Sequence, residues 1–197
     1  HEQEFYEALN NINKTSEHLS NTIDDFRNFF SPNKEMNKFY ISQLIKKSKD
    51  LIKSRFDKFN IKVIENIDDI EILSYQNELF QVILNLFSNS IDVLSSSQIE
   101  NKIIYIKIYH DENNLYIEFL DNGGGIKDEF INRVFEPYFT TKHKSQGTGI
   151  GLYMSKILVD NNLKGTIFVE NYKFLYNNID YKGAKFNILL PINVDKK

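Results

Sequence analysis

The chain has 197 residues, 41% of them hydrophobic and 26% charged, which supplies a packed core and excludes wholesale disorder. Its 24 Lys and Arg stand against 27 Asp and Glu, and a net charge of −3 offers no basic excess for gripping nucleic acid. With no cysteine there are no disulfides, thiolate metal sites or thiol nucleophiles, and the four histidines lack the HxxxH spacing of a zinc enzyme.

Phe5, Leu9, Ile12, Ser16, Leu19, Ile23, Phe26 and Phe30 are spaced 4, 3, 4, 3, 4, 3, 4, a heptad seam interrupted once at Ser16. So narrow a stripe suits another helix, and self-association or a helical bundle is expected over packing on the chain's own domain. Ser31-Pro32-Asn33 closes this helix and sets a boundary after residue 31. Lys38–Ile41 then reads as a short strand, with Ser42 as N-cap of a helix carrying Leu44, Ile45, Leu51, Ile52 and Phe56. Strands are expected at Ile61–Glu65 and Glu71–Tyr75 around the acidic turn Asp68-Asp69, then an apolar helix over Asn77–Leu94. That helix is the best candidate for a membrane span, but Asn85, Asn89 and Asp92 interrupt it well short of ~18 apolar residues.

Lys102–His110 and Leu115–Asp121 alternate as a hairpin through Asp111-Glu112-Asn113-Asn114. A short helix over Lys127–Val134, a polar loop over Glu136–Gln146, a helix over Ile150–Asp160 and strands over Gly165–Asn171 and Lys185–Leu190 complete the pattern. Hairpin-linked strands with separate helices predict an α+β fold. Its form is a two-layer α/β sandwich, with helices on one face of a largely antiparallel sheet, preceded by a long N-terminal helix. The start at His1, without a signal peptide, predicts a fragment of a longer protein.

Four segments carry chemistry. Asn85 and Asn89 lie four apart on one helix face with Asp92, while Leu79, Val82, Ile83, Leu86 and Ile91 point elsewhere. Two amides in so apolar a helix need partners, and alone they read as caps for a neighbouring strand or as a solvent face. Asp121-Asn122-Gly123-Gly124-Gly125-Ile126 follows a strand; its glycines let backbone approach a flat ligand, and the Asp can accept a hydrogen bond from an exocyclic amine. Taken singly it is a glycine-rich turn. Gly147-Thr148-Gly149-Ile150-Gly151-Leu152 opens a helix whose free N–H groups suit phosphates. No strand directly precedes it and no Gly-Lys-Ser/Thr is present, so Rossmann and P-loop readings fail. Between the glycine clusters, Val134-Phe135-Glu136-Pro137-Tyr138-Phe139-Thr140-Thr141-Lys142-His143-Lys144 has the make-up of a lid whose lysine neutralises a terminal phosphate.

In that order, Asn-x-x-x-Asn, Asp-x-Gly-x-Gly-Ile, Phe-Glu-Pro-Tyr-Phe-Thr-Thr-Lys and Gly-Thr-Gly-Ile-Gly-Leu resemble the N, G1, F and G2 boxes of sensor histidine kinases, members of the Bergerat-fold ATPases. Gly183-Ala184-Lys185-Phe186-Asn187-Ile188-Leu189-Leu190-Pro191 looks like the closing strand of that domain, so the resemblance covers roughly residues 38–192. It implies an ATP-binding catalytic domain over 32–197, and over 1–31 the truncated C-terminal helix of a dimerisation and phosphoacceptor hairpin. By resemblance Asp121 binds the adenine amine, with Gly123, Gly125 and Ile126 close to the base. Asn85 and Asn89 serve Mg²⁺ and phosphates, and Thr141, Lys142, Gly147, Thr148, Gly149, Ile150, Gly151 and Leu152 hold the triphosphate.

Asn85 and Lys142 are the expected catalytic pair, acting by positioning and charge neutralisation. ATP-hydrolysing relatives carry a water-activating Glu at position 85. An amide is no general base, which favours kinase over a gyrase- or chaperone-like ATPase. A degenerate nucleotide-binding or dimerisation module is the other alternative. The implied partners are a response-regulator receiver domain and a second copy through the N-terminal helix, with no nucleic acid and no membrane contact by this fragment. The implied location is cytoplasmic, in a parent protein anchored in the inner membrane.

The sequence departs from the family pattern in three places. Asp92 stands where Lys is common, Ala184 stands where a hydroxyl residue is common, and no His-Glu/Asp-x-x-x-Pro box is present. His1-Glu2 is followed by Tyr6, and His18, His110 and His143 read as surface residues, so the acceptor histidine is expected upstream.

Overall fold

The structure, a computed structural model, describes residues 35–141 and 147–193; the heptad segment, Lys142, His143 and Lys144 lie outside the described residues. The elements in order are β1 (Asn37–Tyr40), α1 (Ile41–Phe59), β2 (Ile61–Ile67), β3 (Glu71–Ser74), α2 (Gln76–Ser96), β4 (Lys102–His110) and β5 (Asn114–Asp121). There follow α3 (Asp128–Ile131), α4 (Gly151–Ile157) continued by a π-helical turn (Leu158–Asn162), β6 (Thr166–Tyr176) and β7 (Ile179–Pro191).

Helix α1 starts two residues earlier than the sequence suggests, with Tyr40 as its N-cap, so Ser42 lies inside its first turn rather than capping it. The Ser42 backbone N–H (3.0 Å) and hydroxyl (2.8 Å) both donate to the carboxylate of Asp69, in the acidic turn between β2 and β3. A carboxylate borrowed from 27 residues away thus satisfies orphan donors and meets the positive end of the helix dipole. The helix ends at Asn60, whose left-handed φ of 52° is one that asparagine tolerates.

Five strands form one sheet in the order β2-β4-β5-β7-β6, and β1 pairs with β3 in a separate antiparallel ribbon. The pairings β4–β5, β5–β7 and β6–β7 are antiparallel as expected, whereas β2 lies parallel to β4. The chain between those two strands carries α2, whose length provides the crossover that parallel neighbours require. Strands β6 and β7 run well past their expected ends to a two-residue turn, Asn177-Asn178, with both residues at positive φ (49° and 60°). That is the twist a tight hairpin needs, and asparagine permits it.

Alternation puts Ile104, Ile106 and Ile108 of β4, Leu115, Ile117 and Phe119 of β5, and Phe186, Ile188 and Leu190 of β7 into the core, beneath α1 and α2. Edge-to-face rings tie the layers together: Phe56 of α1 meets Phe87 of α2 at 5.3 Å, and Phe87 meets Phe119 of β5 at 4.9 Å. Burial of each such side chain contributes roughly 1.5–3 kcal/mol. The other sheet face is open and carries Tyr109, Phe168 and Tyr172. No helix among the described residues is long and apolar enough to cross a membrane.

Candidate functional site

Between α2, the carboxyl end of β5 and the loops around α3 and α4 lies a cleft of about 920 Å³, within the range of small-molecule sites. One stripe of α2, made of Asn85, Ser88, Asn89 and Asp92, lines it, while the opposite stripe of Leu79, Val82, Ile83 and Leu86 is fully buried. The Asn85 amide is fixed by α4: its Nδ2 donates to the Gly151 carbonyl and to Ser155 Oγ, both at 3.2 Å. The amide oxygen Oδ1 is the polar atom that remains. Asp92, where a lysine was the family expectation, is held by Arg55 of α1 at 2.7 Å, and the same guanidinium donates to Ser88 Oγ at 3.0 Å.

The floor is Asp121, only 4% exposed at the end of β5. Its Oδ1 accepts from the Gly123 N–H (2.9 Å), its Oδ2 from the Ser90 hydroxyl (3.1 Å), and the Ala184 N–H bonds the same carboxylate. Burial pushes the carboxyl above the ordinary aspartate range, and these three bonds pull it part of the way back.

The turn after Asp121 is clamped from both sides. Asn122 accepts from the Ile103 N–H (2.8 Å) and donates to the Asn101 carbonyl (2.6 Å). Asn171 of β6 accepts from the Ile126 N–H (2.7 Å) and donates to the Ile126 carbonyl (2.6 Å) and to Asp128 (3.3 Å). At Gly183, β7 crosses so close over Asp121 that any side chain there would overlap the Asp121 carbonyl.

The outer wall is built differently. From Lys127 to Phe139 the backbone makes successive turns, Phe130 N–H to Lys127, Arg133 to Phe130, Glu136 to Arg133 and Phe139 to Glu136, at 2.8–3.3 Å. Of the helix expected over Lys127–Val134, only the single turn α3 forms. The Phe139 ring meets Phe130 edge-on at 5.4 Å and lies under the Arg133 guanidinium at 4.7 Å. Tyr138 is 75% exposed with a φ of 64°, an unusual conformation for a bulky residue. Gly149, at a φ of 68°, lies against the Tyr138–Phe139 backbone where a Cβ would clash, so the second glycine cluster is seated on this wall.

Asn85, Asn89, Asp121, Gly125, Ile126, Thr141, Gly147, Thr148, Gly149, Gly151 and Leu152 all line the cleft. Gly123 does not: it backs onto Val93 of α2 and donates to Asp121. Ile150 precedes α4, with its N–H donating to Thr148 Oγ1 (3.3 Å) and its carbonyl accepting from Met154 (2.9 Å). Lys142 is outside the described residues. Sequence reading missed Ser90, Asn122 and Asn171. For Ser90 and Asn122 the available signal was a small polar residue in an otherwise apolar or glycine-rich run, where a buried polar group needs a partner, whereas Asn171, between Glu170 and Tyr172, carries no such mark. Among the described residues no group of three or more metal-ligating side chains comes together.

Residues 74–194 match the family model described as histidine kinase-, DNA gyrase B- and HSP90-like ATPase. Sporulation kinase E of Bacillus subtilis (strain 168) is 30% identical over 155 residues, which is 78% of this chain and 19% of that protein. Sporulation kinase A of the same organism is 34% identical over 124 residues, 63% of this chain and 18% of that protein. The chain therefore spans about a fifth of the length of these relatives. A nucleotide-free form of the catalytic domain of histidine kinase ThkA superposes with a TM-score of 0.67 at 26% identity, covering 81% of this chain and 97% of that one. ThkA in complex with the response regulator TrrA superposes with a TM-score of 0.68 at 22% identity, covering 90% and 49%.

Proposed function

The chain belongs to the histidine kinase-, DNA gyrase B- and HSP90-like ATPase family, and from that premise we propose that residues 32–197 are the ATP-binding catalytic domain of a two-component sensor histidine kinase. Residues 1–31 are then the end of its dimerisation hairpin. The observation that carries the reading is Asp121, a buried carboxylate fixed on three donors and opening onto a cleft whose other end is lined by Asn85 and the Gly147–Gly151 loop.

Asp121 accepts the exocyclic amine of adenine. Thr141, Lys142 and the amides around Gly147, Gly149, Gly151 and Leu152 hold the triphosphate. Asn85 Oδ1, the amide oxygen left over once Nδ2 is bonded to Gly151 and Ser155, suits a hard, oxygen-seeking cation such as Mg²⁺. Asn85 and Asn89 would hold the ion, which would spread the phosphate charge when bound. Asn85 offers no base to activate water, so the γ-phosphoryl group survives for a better nucleophile. A histidine nitrogen on a segment beyond the cleft forms the new N–P bond as the bond to ADP breaks. An aspartate on a response-regulator receiver domain then takes the phosphoryl group. The names of the relatives support this, as does the crystallised pairing of ThkA with its regulator. The parent protein works as a homodimer through the N-terminal helix, with this domain on the cytoplasmic side.

The test is calorimetric titration of ADP and a non-hydrolysable ATP analogue, with and without Mg²⁺, into the chain and its Asp121→Asn variant. Micromolar, Mg²⁺-sensitive binding of roughly −8 kcal/mol that Asp121→Asn abolishes is expected. No binding by the folded chain would refute the nucleotide reading and leave a dimerisation module. Steady phosphate release that is lost in Asp121→Asn would make it an ATPase instead.

A further inference from the structure

Among the described residues, three fully buried serines sit within helices, Ser48 in α1, Ser90 in α2 and Ser155 in α4. Two of them donate one turn back along their own helix, Ser48 to the Leu44 carbonyl at 2.9 Å and Ser155 to the Gly151 carbonyl at 3.0 Å. That is the bond a buried helical serine ordinarily makes. Ser90 instead sends its hydroxyl across to Oδ2 of Asp121 at 3.1 Å. The other donors on that carboxylate are the backbone N–H groups of Gly123 and Ala184, and the side chain at 184 is a methyl group. Among the described residues, Ser90 is the one side chain that holds Asp121.

We infer that Ser90 is the specificity-determining positioning residue of the cleft, fixing Asp121 as an acceptor that selects a purine with an exocyclic amine over one with a keto oxygen in its place. The inference rests on the nucleotide reading above. A hydroxyl has a single proton, and committing it to Oδ2 while Gly123 occupies Oδ1 fixes the plane of the carboxylate. The lone pairs left over face the cleft as acceptors, which an amine N–H satisfies and a keto oxygen meets with like against like. A site built to bond a particular donor discriminates strongly because its own buried group is otherwise left unpaired.

The experiment titrates ADP and IDP, which differ at that one substituent, into the 197-residue chain, Ser90→Ala and Asp121→Asn. Ser90→Ala is expected to bind ADP about tenfold more weakly, the size of one hydrogen bond to a charged group. Its affinity for IDP should stay within about twofold, so the ADP/IDP ratio falls by about tenfold. An unchanged ratio overturns the inference, whether both affinities hold or both fall together, since loss of packing alone weakens the two nucleotides equally. Should Ser90→Ala not fold, Ser90→Cys keeps the volume with a much weaker donor and carries the same ratio test. If Asp121→Asn still binds ADP as well as the unaltered chain, the seating of adenine on Asp121 is wrong and takes the inference with it, whereas no ADP binding by the unaltered folded chain refutes the nucleotide reading as a whole. If Asp121→Asn abolishes binding while Ser90→Ala keeps the ratio, only the inference falls.

Discussion

The two walls of the cleft are built on opposite terms. The inner wall, from Asp121 to Ile126 with Asn171 and Gly183, is tied by side chains drawn from α2 and β6 and by the backbone of β7, and each buried polar atom named there has a partner. The outer wall, from Lys127 to Thr141, holds its backbone by local turns and its side chains by aromatic contacts, with Tyr138 and its strained φ facing solvent. A wall anchored at many distant points fixes a recognition geometry. A wall made of local turns can rearrange without unfolding the sheet, which is what loops closing over reactive groups require.

Breaking the inner wall should therefore cost most. Gly183→Ala forces a methyl group into the Asp121 carbonyl and separates β7 from the end of β5. A loss of about 3 kcal/mol or more by urea unfolding is expected, together with loss of ligand binding. Phe139→Ala in the outer wall removes an edge-on ring contact and a cation–π contact from a half-buried side chain. A stability cost of about 1 kcal/mol is expected, with faster proteolytic nicking between residues 127 and 141. Equal costs for the two variants would erase the distinction between the walls.

The smallest effect has the opposite sign. The folded-state pKa of Asp121 is raised, so between the ordinary aspartate range and that raised value the native state holds more protons than the unfolded chain. Its ionisation therefore costs stability as pH rises through the folded value, and the cost is fully present above it. Asp121→Asn should be at least as stable as the unaltered chain near neutral pH, with the gap closing as pH falls below the ordinary aspartate range. Thermal melts from pH 3 to pH 8 would read this; a variant less stable at pH 7 would mean that Asp121 is structural rather than reserved for a ligand.

Much of the fold was legible because its signals are local. The 3.6-residue period of α2 and the alternation of β4 and β5 are written into adjacent residues, and so are the amide pair and the two glycine clusters that line the cleft. What was illegible depends on distant chain. Ser42 looks like a cap because its real relation is to Asp69, and the parallel seating of β2 beside β4 leaves no mark in either strand. The lengths of β6 and β7 were hidden because Phe168 and Tyr172 on the open face blur the alternation that marks a half-buried strand. Ser90 sits beside the conspicuous Asn89, and its meaning lies in Asp121, 31 positions on. The Asn171 clamp is 45 positions from the turn it closes.

The seam between β5 and β7, where Leu120 lies opposite Lys185, has a consequence for mass action. Asp121 meets the Ala184 N–H only when that seam is zipped to its end, and it meets Ser90 only when α2 has docked. The unfolded chain therefore holds no trace of the site, and whatever the cleft binds, it binds to the native state alone. Such a ligand acts as a fastener for the whole sheet, adding about 2.7 kcal/mol of stability at a hundredfold excess over its Kd.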